Sequence, residues 1–377
     1  MLLLMLVLAA PSSRAATVSA VQGSVRYPSF TDVLVMADPG ERNELVVERL
    51  PGQPGMGTRV TDSVPLRAGF RCELQSDGSV TCPGAGVRFT VDAGDLEDRV
   101  EVGTIGNFRR LTGGDGDDLL IATGDAASLF TGGPGEDRMV GGTGADIFFE
   151  GPAANGSDVM EGDARDTVSY RQRTINVHAD VQGDADDGEA GEQDRIGAGI
   201  RTLLGGFSHD RLVGGPGPNL LMGFGGSDAL LGGGGDDQLI GGFQRTHETT
   251  NDRLYGGRGR DDLHGGGGND LLVGGLGADH LFGRYGRDAL HGGPGRETFS
   301  GGPGNDRFFA RDRLSEAVDC GGGWDQVLFH DAFDRLTRDC ERHGPSRLLE
   351  PDLEPGLPHP PLRLAHGVVA VVEDRGA

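Results

Sequence analysis

Hydrophobic and polar positions keep a nine-residue period through much of the chain. Between Gly205 and Phe309 eleven units follow one another in register, apart from one insertion at 243–250. The eighth position is apolar in every unit: Leu212, Leu221, Leu230, Leu239, Leu254, Leu263, Leu272, Leu281, Leu290, Phe299 and Phe308. The sixth is Asp in nine of the eleven, with Asn219 and Glu297 as exceptions. Clean copies are GGGGDDQLI (232–240), GGRGRDDLH (256–264), GGGGNDLLV (265–273) and GGLGADHLF (274–282). Two chemically different positions held in phase over eleven units signify stacked repeats, not a flexible Gly-rich linker.

A shorter block precedes this one. It contains GGDGDDLLI (113–121), GGPGEDRMV (132–140) and GGTGADIFF (141–149), with a weaker unit lacking the Asp at 122–130. Two looser copies end at Val159-Met160-Glu161 and Thr167-Val168-Ser169. Residues 170–204 interrupt the period with an alternation at Ile175, Val177, Ala179 and Val181 and an acidic turn, DADDGEAGEQD. Residues 16–110 are not repetitive. Alternating Val87, Phe89 and Val91 and short apolar stretches at Val33–Met36 and Leu45–Val47 predict a small all-β domain. Near its end AGDLEDRVE (93–101) reads as a decayed repeat. The expected organisation is a signal peptide (1–15), an N-terminal β domain (16–110), a first repeat block (111–170), a connecting segment (171–204), a second block (205–309), a cap (310–342) and a Pro-rich disordered tail (343–377).

Each nonapeptide divides into a six-residue Gly-rich turn and a three-residue strand whose apolar middle residue points inward. Two units complete one circuit, so unit n stacks on unit n+2. At a strand spacing of about 4.8 Å, eleven units make a stack roughly 25 Å long. Stacking places Asp210, Asp228, Asp252, Asp270, Asp288 and Asp306 along one edge and Asp237, Asp261 and Asp279 along the other. Asp261 then lies between Asp237 and Asp279, with an oxygen for an ion on each side, while Asp262 faces solvent. Carboxylates in a row repel unless a cation lies between them. Carboxylate and carbonyl oxygens are the hard ligands that Ca²⁺ prefers, and Mg²⁺ suits such a set less well because it demands tighter octahedral geometry.

The tandem motif G-G-x-G-x-D-x-U-x resembles the hemolysin-type calcium-binding repeats of RTX proteins. The resemblance covers 113–169 and 205–309. The VTCP segment, DTVSY…DGEAGEQD and VDCGGGWDQV…DC also resemble secreted bacterial proteins of this group. The resemblance implies an all-β chain forming a right-handed parallel β-roll (β-solenoid). It implies several Ca²⁺ ions held by position-six carboxylates and turn carbonyls of successive layers. The carboxylates would be Asp118, Asp137, Asp146, Asp158 and Asp166 in the first block, with the nine named above in the second. The turn glycines would be Gly232, Gly233, Gly235, Gly256, Gly257, Gly259, Gly265, Gly266, Gly268, Gly274, Gly275, Gly277, Gly301, Gly302 and Gly304. Ser208, Asn219, Phe224, Arg284 and Glu297 depart from the pattern, as does 122–130, and calcium sites are expected to be absent or weak there.

Composition fits this reading. Gly occurs 69 times and Trp once, too few large side chains for one conventional core. The formal net charge is −24 and no basic stripe exists, which argues against nucleic-acid binding. All 34 basic residues are Arg; without Lys, Schiff-base chemistry and a G-x-x-x-x-G-K phosphate loop are excluded. The apolar run Leu2–Ala10, followed by Pro11 and the small residues Ser13 and Ala15, reads as a secretory signal peptide. No segment is long and apolar enough for a transmembrane helix. The four Cys form two local pairs. A three-residue turn Ser76-Asp77-Gly78 would set Cys72 opposite Cys82, and Cys320 and Cys340 make the second pair. Export permits disulfides, with buried free thiols as the alternative.

No catalytic constellation emerges. HETTN (247–251) has Asn251 where a zinc helix needs its second His, and GFSHD (206–210) is not a G-x-S-x-G elbow. The expectation is a secreted, non-enzymatic calcium-binding scaffold. The alternatives are a calcium-rigidified adhesin with a protein, cell-surface or self-association partner, or a hydrolase with an unrecognised site. Position nine on one face reads Val213, Leu231, Tyr255, Val273, His291, Phe309. Ordinary strand propensity explains such a ladder, and so does an interface.

Overall fold

The structure is a computed structural model that describes residues 17–22, 31–49, 58–68, 72–82, 87–104, 108–242, 250–310, 313–330 and 334–342. The expected signal peptide, most of the insertion with the first three residues of HETTN, and the Pro-rich tail lie outside the described residues. The described residues contain strands and turns and no helix. Their architecture is a parallel β-solenoid of about 12 turns.

Two walls face each other across one core. The first is a single 16-stranded sheet; the second consists of a 9-stranded and a 10-stranded sheet. Within the repeats each strand pairs in parallel with the strand one circuit later. Arg253–Arg258 pairs with Leu271–Leu276, with Leu254 opposite Leu272; Asp262–Gly267 pairs with His280–Tyr285, with Leu263 opposite Leu281. The period-two alternation of a strand turns every eighth position inward, and all eleven of those residues are fully buried.

The roll extends beyond the clean repeats in both directions. The described residues of the N-terminal region are all β, as their alternation predicts, and they share sheets and core with the repeats. Thr31–Met36 pairs in parallel with Val87–Asp95, which pairs in parallel with Phe108–Asp115. On the other wall Glu44–Arg49 pairs with Arg99–Val102, and that strand with Leu119–Ala122. Val35, Val91, Leu111 and Phe130 form one buried column with the repeat residues. Antiparallel strands finish this end: Thr17–Gln22 against Thr31–Met36, and Thr58–Thr61 between Glu44–Arg49 and Val80–Cys82. They occupy hydrogen-bonding edges that the last circuit would otherwise expose.

At the other end Ala317–Gly323 and Gln326–His330 continue the two walls. Both cysteine pairs are disulfides. Gly78 has φ +84° in the turn between Gln75 and Ser79, which brings Cys72 opposite Cys82 at a Cα–Cα distance of 4.3 Å. The Cys320–Cys340 bridge ties the last two circuits, with Cα atoms 5.3 Å apart. Residues 170–204 depart from the alternation read in sequence. The strand covers only Val177–Asp180; Val177, Ala179 and Val181 are buried, but Ile175 lies on the surface.

Candidate metal centre

Position six lies two residues before the inward apolar residue, where the chain leaves the turn. Its side chain therefore points in, at the rim of the core. The aspartates there are almost completely shielded from solvent. Along the edge of the second wall stand Asp118, Asp137 and Asp158, then Asp210, Asp228, Asp252, Asp270, Asp288 and Asp306. Along the edge of the first wall stand Asp146, Asp166, Asp237, Asp261 and Asp279.

Each edge is wired in runs. The backbone N–H of one Asp donates to Oδ1 of the Asp one circuit later. Asp237 donates to Asp261 at 2.9 Å, Asp261 to Asp279 at 2.9 Å, Asp270 to Asp288 at 2.8 Å and Asp288 to Asp306 at 2.9 Å. This corrects the expectation that both oxygens of Asp261 face ions: Oδ1 already accepts the Asp237 N–H.

The other oxygen is different. Oδ2 of Asp118, Asp137, Asp228, Asp237, Asp261, Asp270, Asp279, Asp288 and Asp306 is buried and accepts no hydrogen bond. Each points into the space beside the first Gly of its own repeat. A Cβ on Gly256 would come within 3.0 Å both of Asp261 Oδ2 and of the Gly274 carbonyl oxygen, one circuit later. Gly232, Gly265 and Gly274 repeat this arrangement, as does Gly301 with Asp306 and the Cys320 carbonyl. Both oxygens thus crowd the same side of the glycine, where only its Hα fits, and Oδ2 meets no N–H or O–H donor. Such a niche needs a cation or a protonated carboxyl. Burial accordingly pushes Asp118, Asp237, Asp270, Asp288 and Asp306 up to about 7, Asp137 and Asp228 up to about 8, and Asp261 up to about 6. An oxygen-only, carboxylate-rich donor set without His or Cys fits Ca²⁺.

The turns above the niches need their glycines. Gly233, Gly235, Gly257, Gly259, Gly266, Gly268, Gly275, Gly277 and Gly302 have positive φ; Gly304 does not. Phe224 and Arg284 replace the second Gly and still adopt φ +73° and +80°. The turn is kept there at the expense of backbone strain.

Four aspartates have a different environment. Oδ2 of Asp146 accepts the Gly142 N–H, that of Asp166 the Asp163 N–H, that of Asp210 the Gly206 N–H and that of Asp158 the Asn155 amide. Their second oxygens are satisfied by the protein. Asp210 lies in the turn where Ser208 replaces Gly, one of the departures seen in sequence. The acidic turn of 180–187 brings Asp180, Asp186 and Asp187 together, but both oxygens of Asp187 accept backbone N–H groups, from Asp180 and Ile196.

The ladders also include residues that repeat counting missed. Asp98 and Asp194 extend the second-wall edge, accepting from Asn43 and Asp158, and Asp325 closes it, accepting from Asp306. Asp325 has a legible signal, because CGGGWDQVL (320–328) is a nonapeptide with Cys in place of the first Gly. Asp98 sits in the decayed repeat at 93–101. For Asp194 the only signal is the Asp-x-Ile spacing, which is weak in so acidic a stretch.

Two edge rows of inward aspartates beneath Gly turns, several of them with a turn carbonyl on the same side of the first Gly, define a calcium-binding repeat protein of β-roll form. The RTX calcium-binding nonapeptide repeat matches this chain in four copies, over residues 112–148, 204–239, 248–281 and 273–308. These four segments, less than half of the chain, carry RTX calcium-binding nonapeptide repeats. No curated protein matches it.

Proposed function

We propose that this protein is a secreted, non-enzymatic scaffold whose repeats fold on calcium after export. The observation that supports this reading is the series of buried Oδ2 atoms without a hydrogen-bond donor, several of them beside a turn carbonyl of the next circuit. The ligands would be Asp118, Asp137, Asp228, Asp237, Asp252, Asp261, Asp270, Asp279, Asp288 and Asp306 with the turn carbonyls. Asp146, Asp158, Asp166 and Asp210 would bind weakly because their second oxygens are already engaged. Both disulfides suit an oxidising setting. Among the described residues no helix is long and apolar enough to cross a membrane.

Extracellular calcium modules have dissociation constants near 10⁻⁴–10⁻³ M. At ten times that constant each site adds ~1.4 kcal/mol to folding. Several sites together reach the stability of a whole domain, about 5–15 kcal/mol. Far-ultraviolet circular dichroism with and without chelator tests this, with calorimetric stoichiometry alongside. A large part of the β signal should be lost in chelator and return with calcium; a fully formed β signal in excess chelator overturns the reading.

A second reading, an adhesin or self-associating surface, is favoured by the outward ladder at position nine. Val213, Leu231, Tyr255, Val273, His291 and Phe309 stack in register and stay half-exposed, with the His291 and Phe309 rings 3.9 Å apart. Sedimentation of the calcium-loaded protein distinguishes the two: a monomer at all concentrations favours the plain scaffold.

A further inference from the structure

The first-wall edge changes chemistry toward the N-terminus. In the register of the sheet, the inward position before the apolar column is Val33, then Phe89, Arg109 and Ser128, and becomes carboxylate only at Asp146. Arg109 is fully buried. Its Nη1 donates to the carbonyl oxygens of Val102 at 3.3 Å, Gly103 at 3.1 Å and Thr123 at 2.6 Å, and its Nη2 donates to the carbonyl of Ala126. These carbonyls belong to two successive turns. The adjacent ladder residue is Ser128, in the unit that lacks its Asp. A carboxylate is therefore missing where a fixed positive charge is present.

A second Arg, only partly buried, stands further along this edge. Arg201 stands between Asp166 and Asn219 in the ladder. Its guanidinium lies under the Gly217 turn, where a Cβ would be 2.9 Å from it. Buried guanidinium is a costly way to fill space unless the carbonyls it meets need a cation.

We infer that Arg109 is a tethered cation that takes the place of the metal. It closes the turns at 102–104 and 123–126, so that the first-wall strands Val87–Asp95, Phe108–Asp115 and Ala127–Thr131 form without calcium. They provide the template on which the calcium-dependent circuits stack. On the opposite edge of these circuits the carboxylates are Asp98 and Asp118; the Asn43 amide donates to Asp98. The inference rests on the calcium reading of the later repeats, and the two fail separately in one experiment.

That experiment is hydrogen exchange of the full exported chain, followed by mass spectrometry, in EGTA and in calcium. Peptides from 87–131 should stay protected in EGTA while peptides from 223–309 lose protection and regain it with calcium. Arg109→Met should abolish the protection of 87–131 in EGTA, and Arg109→Lys should restore part of it. Rapid exchange of 87–131 in EGTA in the unaltered protein overturns the inference, as does full protection in Arg109→Met. Persistent protection of 223–309 in EGTA instead sinks the calcium reading and leaves the role of Arg109 standing. Loss of 223–309 protection by Arg109→Met even in calcium supports the template role, provided Arg109→Lys recovers it.

Discussion

At the scale of single residues, Asp261 and Asp262 carry the same charge and are neighbours in the chain. Asp261 is buried, with Oδ1 held by the Asp237 N–H and Oδ2 beside Gly256. Asp262 is half-exposed and lies 3.3 Å from His264 Nε2. Asp261→Ala should raise the calcium concentration at the folding midpoint and remove bound calcium. Asp262→Ala should change stability by no more than about 0.5 kcal/mol. Titration of both variants, followed by calorimetry, checks this; equal midpoints would mean that the ladder is not the binding site. Arg284 poses the opposite case. It adopts a left-handed conformation that Gly takes without strain, so Arg284→Gly should stabilise the calcium-loaded roll by about 1 kcal/mol in denaturant unfolding.

At the scale of elements, each strand is three to seven residues long in the second block and none could stand alone. Stability comes from stacking, and the terminal circuits have neighbours on one side only. The C-terminal one is tied by Cys320–Cys340, which closes a separation of 20 residues. Replacing both cysteines with Ser should cost about 3 kcal/mol through the greater freedom of the unfolded segment. Trp324, the single Trp of the chain, lies between Gly323 and Asp325, and its backbone N–H donates to Asn305 Oδ1. Its fluorescence reports this end directly, and it should lose its calcium response at lower denaturant in the double variant. The sequence pattern located both pairs because each is local. That Cys320 and Cys340 tie two solenoid circuits follows only from the stacking.

At the scale of the whole molecule, the ladders couple folding to pH. The ordinary value for an aspartate is 3.8, and burial raises Asp261 to about 6, Asp118 to about 7 and Asp228 to about 8 in the metal-free fold. A group that binds its proton more tightly when folded stabilises the fold while protonated. That contribution is complete below about pH 4 and is lost as pH rises through 6 to 8. The metal-free protein should therefore melt at a higher temperature at pH 5 than at pH 8. Calcium must displace these protons, so its affinity should rise over the same interval. Thermal melts monitored by circular dichroism in EGTA and in calcium check both signs. A melting temperature in EGTA that rises from pH 5 to pH 8 would show that the carboxylates are not buried without metal.

The sequence alone determined the repeat register, the inward column and the two Asp rows. Each follows from a strict nine-residue period combined with the two-residue alternation of a strand, and both are local properties of the chain. It also determined the two disulfide pairs. What only the tertiary structure decided is which oxygens remain for a cation. Oδ1 is claimed by an N–H 18 or more residues away, and no pattern within one repeat reveals that donor. The continuation of the roll into residues 31–110 was likewise illegible. There Val33, Phe89 and Arg109 occupy ladder positions that carry carboxylates elsewhere, so the Asp signal is absent although the stacking persists. Arg109 shows the reason most clearly. In sequence it is one Arg among 34; its role exists only because two turns, joined by the circuit of the chain, bring four carbonyls to its guanidinium.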